Sequence, residues 1–188
     1  MKPTRFGILS AVAVAIMIAA ALLFMNTTPI REGAAQAGVS ETSKESVRQT
    51  REVPTGAREY RSAEYNFSLL YPEDLKVAEH SEGGGATTIT FQNTKTVAGF
   101  QIFIVPYGES QVSEERFKLD EPSGIRESLA PITIDGAIGA SFFSNNLMLG
   151  ATREVWFVHG GYLYEVSTLR SLDTWLGQIL KTWEFITE

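Results

Sequence analysis

The stretch Thr152–Thr168, TREVWFVHGGYLYEVST, decides the fold. Two short runs rich in β-branched and aromatic residues flank His159-Gly160-Gly161, where glycine supplies the positive φ angles of a tight reversal. The pattern predicts antiparallel strands over Thr152–His159 and Tyr162–Thr168. Working upstream, Asp135-Gly136 is a second two-residue hairpin signal, joining strands predicted over Ile125–Ile134 and Ala137–Ser144. Period-two spacing with turn signals continues back through Gly99–Pro106, Thr87–Gln92, Lys76–Ala78 and Phe67–Tyr71, the pattern of an antiparallel sheet. Downstream the period changes. Leu172, Trp175, Leu176, Ile179, Leu180 and Trp183 form one apolar stripe at helical intervals, predicting a helix over Ser171–Trp183 with Ser171 as its cap and Asp173 in its first turn. A shorter helix is predicted near Ser113–Leu119. The fold class is therefore α+β, an antiparallel β-sheet flanked by helices, and the two tryptophans of the stripe read as core rather than as a ligand platform.

The segment Tyr65-Asn66-Phe67-Ser68-Leu69-Leu70-Tyr71-Pro72, followed by Leu75-Lys76-Val77, resembles the opening strand and Tyr-Pro corner of the PsbP-like superfamily. The hairpin Val155–Ser167, the C-terminal amphipathic helix and Trp183-Glu184-Phe185 are similar to its closing half. The resemblance implies an antiparallel sheet flanked by helices, used by relatives as extracytoplasmic accessory and interaction modules. It maps no functional residue onto this chain. Leu75 stands where a tryptophan is common and no transit peptide precedes the domain, so a role at photosystem II is not carried over.

Ahead of the domain, Gly7–Met25 runs nineteen residues without a charge. As a helix it would extend roughly 28 Å, close to a hydrocarbon core of about 30 Å. Lipid offers no partner to backbone amides, so a helix is the form required. Lys2 and Arg5 precede it, which by the positive-inside rule predicts a cytoplasmic N-terminus and an extracytoplasmic remainder. A cleaved signal peptide is the competing reading, since Ala35-Gln36-Ala37 has the small-x-small form, twelve residues past Met25. A pilin-like leader is a third, although Val12 occupies the position where such subunits usually carry an acid. Residues 26–58 contain no aromatic side chain and few large aliphatic ones, the composition of a disordered linker. Over 33 residues it spans roughly 30 Å. The predicted organisation is an anchor at 1–25, a linker at 26–58 and one α+β domain at 59–188.

The chain has no cysteine, which excludes disulfides, thiol catalysis and a lipid-modified cysteine. From Glu59 onward, 18 acidic residues face 9 basic ones, and this acidic balance predicts no nucleic-acid partner. His80 and His159 are the only histidines, read respectively as an exposed loop and a turn residue. Gly83-Gly84-Gly85 lacks the Lys-Ser or Lys-Thr of a phosphate loop and reads as a hairpin. Glu73-Asp74, Glu114-Glu115 and Asp120-Glu121 are adjacent acids in polar sequence, read as a solvated face. Asn26-Thr27-Thr28 and Asn66-Phe67-Ser68 match the short N-glycosylation pattern. No catalytic, metal or cofactor-binding residue is assigned. The expected function is a membrane-anchored, noncatalytic binding or accessory module with a protein or envelope partner. The alternatives are a hydrolase using His159 and scattered acids, or a pilin-like subunit.

Overall fold

The computed structural model describes residues 51–146 and 149–186; the anchor span and the linker up to Thr50 lie outside these. Among the described residues no helix is long and apolar enough to cross a membrane. The elements in chain order are β1 (Ala57–Ser62), β2 (Phe67–Pro72), β3 (Lys76–Gly83), β4 (Ala86–Gln92), β5 (Gly99–Pro106), α1 (Glu114–Asp120), β6 (Glu127–Ile134), β7 (Ala137–Asn146), β8 (Gly150–His159) and β9 (Tyr162–Leu169), then a 3-10 turn (Arg170–Leu172), α2 (Asp173–Leu180) and β10 (Glu184–Phe185). Seven strands form one sheet in the order β3-β4-β5-β9-β8-β7-β6, and β1-β2-β10 form a second. Every pairing is antiparallel.

Both hairpins read from the sequence are present. Gly160 and Gly161 have φ of 59° and 84°, and Asp135 and Gly136 have φ of 42° and 84°, so each turn places two consecutive residues in the left-handed region, as a type I′ turn requires. The alternation along β8 and β9 divides the large sheet into two faces. Val155, Phe157, Tyr164 and Val166 point into the main core with β2, α2 and Trp183. Trp156 and Leu163 point the other way, onto α1 through Phe117, together with Phe142 of β7.

Four expectations are corrected. The linker assigned to residues 26–58 ends too late: Arg51 donates to the Thr182 carbonyl at 2.6 Å and pairs with Glu184, and β1 begins at Ala57. As an edge strand carrying Arg58, Glu59 and Arg61, β1 sends only Tyr60 toward the core rings Phe67 and Phe91, too sparse a signal to read. β3 continues to Gly83 through the polar run around His80, because an edge strand exposed on both faces shows no hydrophobic period. β6 starts at Glu127 rather than Ile125, with Ser128 at φ 55° and a register shift before Ala130. The C-terminal helix is shorter than Ser171–Trp183, and its cap position is Leu172, with no side-chain capping bond. The Thr182 hydroxyl binds the Ile179 carbonyl and receives the Leu70 N–H at 2.9 Å, after which the chain joins β2 as β10.

Gly139 of β7 lies opposite Phe157, where an added Cβ would meet the Trp156 carbonyl oxygen and come within 2.6 Å of the Phe157 Cβ. Gly139→Ala is therefore expected to cost about 1–3 kcal/mol by overpacking, read as a lower midpoint with unchanged slope in urea denaturation.

Candidate functional site

The β6–β7 hairpin and α2 stand on either side of β8, and between them lies a groove of about 430 Å³. Ile132, Ile134, Val155, Leu176 and Leu180 give it an aliphatic lining. Charges ring it. Arg153 Nε meets Asp173 Oδ1 at 3.1 Å, while Asp135 and Lys181 also line the groove. Arg153 is held by more than its ion pair, because its guanidinium lies over the Phe143 ring at 4.8 Å, with Arg170 over the same ring at 4.2 Å. Gly177 lies on the α2 wall, and a Cβ there would meet nothing within 4 Å. An interior helical glycine with no packing neighbour leaves open the space that a side chain would fill.

β6 is an edge strand, but its free edge is a poor template for strand addition. The closing pair Ile134↔Ala137 exchanges hydrogen bonds, so alternation turns the backbone of Ile132 toward β7 and that of Thr133 and Pro131 outward. Pro131 has no N–H to offer there, which blunts the edge. Recognition at this groove is a matter of side chains.

Neither histidine lines this groove. His80 is exposed on β3. His159 ends β8 beside a second hollow, of about 500 Å³, and its ring stacks on Phe185 at 3.5 Å. Partial burial holds the His159 pKa below the ordinary value, with Asp135 opposing the shift. The Asp135 carboxylate accepts the Phe185 N–H at 2.6 Å, so the nearby acid serves the C-terminal strand. The adjacent acids of the sequence separate: Asp74 accepts from Asn93, Glu114 binds Arg126 through both oxygens, and Glu121 accepts from Ser123. Among the described residues no group of three or more His, Asp or Glu could hold a metal ion.

Sequence reasoning missed the acids that are buried. Glu154 and Glu165 lie on the α1 side of β8 and β9, beneath Arg116 and Asp120. Their alternation with Val155 and Val166 is that of a solvent-facing strand position, and nothing local announces that α1 covers them.

Two measurements follow from this geometry. Gly177→Ala should stabilise the protein by about 0.5–1 kcal/mol through helix propensity alone, seen as a higher denaturation midpoint. The His159 ring should titrate below about 6.5, and Phe185→Ala should move its midpoint back upward in a proton NMR titration by returning water to the ring.

No family model matches this chain, and no curated protein matches it. Among solved structures it is similar to the solution structure of cyanobacterial PsbP (CyanoP) from Synechocystis sp. PCC 6803, with a TM-score of 0.50 and 10% identity, covering 74% of this chain and 98% of that one. The fold anticipated from the Tyr-Pro corner and the closing hairpin is thus the one observed, and the described domain is PsbP-like in fold.

Proposed function

We propose that this protein is a membrane-anchored, extracytoplasmic binding or accessory module without catalytic activity, and that the groove between β6 and α2 receives part of a protein or envelope partner. The observation that carries the reading is the groove itself: an aliphatic trough ringed by charges of both signs, within the size range of binding clefts. Its character suits a partner presenting an apolar side chain flanked by polar or charged ones. The acidic balance of the domain argues against a polyanion. The PsbP-like fold is consistent with an accessory role.

The tether strengthens the reading. Arg51, the first described residue, is bonded to the Thr182 carbonyl, one residue beyond the groove residue Lys181. A chain anchored through Gly7–Met25 would hold the groove at the end of the domain nearest its linker. Binding there would be at high effective concentration for any partner on the same membrane.

A photo-crosslinking residue at Lys181, compared with one at Ser81 on β3, tests the site in intact cells. The expected result is a discrete adduct from position 181 that Gly177→Phe abolishes by filling the groove. Adducts of equal pattern from both positions, or none from 181, would overturn it. For the address, a reporter fused after Glu188 should be active outside the cytoplasm; activity confined to the cytoplasm would remove the anchored, extracytoplasmic reading.

A further inference from the structure

The face of the large sheet that α1 covers carries an arrangement that packing alone does not explain. Glu154 and Glu165 are each only 9% exposed, and the Asp120 side chain is buried above them. One guanidinium serves two of them: Arg116 Nε pairs with Asp120, and its Nη2 reaches Glu165 Oε1 at 3.5 Å. Glu154 receives the Trp156 indole N–H at 3.3 Å. Three carboxyls with one close cation cannot all be ionised cheaply away from water.

A further buried polar group shares this face. Gln101 of β5 is 4% exposed and its Oε1 has no hydrogen-bond partner. Gln101 pairs with Ser167 and Ser167 with Glu154, so these residues share one cross-strand row, with Glu165 one step along the same face. A buried amide acceptor without a partner adds to the unfavourable polar load of this face.

We propose that α1, with the turn that follows it to Ser123, is a proton-controlled clasp on this sheet face, closed while Glu154 and Glu165 hold their protons and released when they lose them. The clasp is also fastened at its edges: Tyr107 Oη accepts the Ser113 N–H at 3.1 Å, and Arg126 binds Glu114 through both oxygens and lies over the Phe117 ring at 4.6 Å. Phe117 stacks on Trp156 at 5.0 Å and meets Phe142 edge-on, and Ser123 and Ser144 share a hydrogen bond of 3.1 Å. Release would uncover Trp156, Phe142 and Leu163 together, an apolar surface hidden in the closed state.

The charged groups facing the cluster are Arg116 and Asp120 from α1, Glu121 at its end and Arg153 beside Glu154 on β8. Arg153 is committed to Asp173 on the opposite face. Burial pushes Glu154 up to about 8 and, with Asp120 adding to it, holds Glu165 well above the ordinary range. The sign follows. The closed state binds protons that an open, hydrated cluster would release, so closure is strongest in acid and weakens as pH rises toward 8. For one linked proton the open fraction grows about tenfold per pH unit until the closed-state value is passed, then levels off.

Hydrogen exchange by mass spectrometry on the full chain tests this. Between pH 6 and 8, after correction for intrinsic rates, peptides covering Ser113–Glu121 should lose protection by at least about tenfold per unit, while the β5 and β9 strands keep theirs. The double variant Glu154→Gln, Glu165→Gln should hold α1 protected at pH 9. Should that variant misfold, a carboxyl carbon NMR titration of the unmodified chain decides: midpoints for Glu154 and Glu165 far above 4.5 support the clasp, and ordinary midpoints overturn it. Protection of α1 that is flat from pH 6 to 9 also overturns it.

Discussion

The stacking of Trp183 on Phe67 is the contact on which the architecture depends. The rings lie 4.2 Å apart and within 10° of parallel, with Phe157 and Tyr164 edge-on to the indole. Phe67 belongs to the three-stranded sheet, Phe157 and Tyr164 to the seven-stranded one, and Trp183 to the segment joining α2 to β10. One indole therefore ties both sheets and the C-terminus together. Aromatic rings suit this role because each removes a large apolar area from water and adds directional ring contacts. The indole Nε1 finds no hydrogen-bond partner, an imperfection that the surrounding ring contacts offset.

From that junction the rest is positioned in order. Thr182, next to Trp183, ends α2 by bonding both Ile179 and Leu70, which fixes the end of α2 against β2. Lys181 and Leu180, just before that bond, line the groove. Phe185, two residues beyond Trp183, is held by the Asp135 carboxylate and covered by the His159 ring, so the hairpin turns that close β6–β7 and β8–β9 are also registered against the C-terminus.

The two faces of the large sheet are built on different terms. The inner face is apolar and closed by rings and aliphatic side chains, and its stability varies little with protonation. The outer face is covered by a seven-residue helix over a mixture of rings and acids. A short helix contributes little stability of its own, so what lies beneath it governs whether it stays. This asymmetry gives one domain a rigid scaffold bearing a groove and a cover that responds to protons.

Sequence by itself determined the hairpins, because Asp135-Gly136 and His159-Gly160-Gly161 impose local backbone geometry that any neighbour must accept. It determined the antiparallel class through period-two alternation, and the existence of α2 through the Leu176, Ile179, Leu180 stripe. It assigned no strand at β1, leaving its first two residues in the linker, and put the polar half of β3 in a loop, since an edge strand needs only one bonded neighbour and leaves no apolar pattern. Only the tertiary structure decided where α2 stops, because the Thr182 hydroxyl answers to Leu70, 112 positions away. The groove and the buried acids belong to the same class. Glu154 and Glu165 read along the chain as solvent-facing positions of two strands, and they become buried through the packing of α1 from elsewhere in the sequence. Burial is a property of what covers a residue, and that is set by contacts distant along the chain.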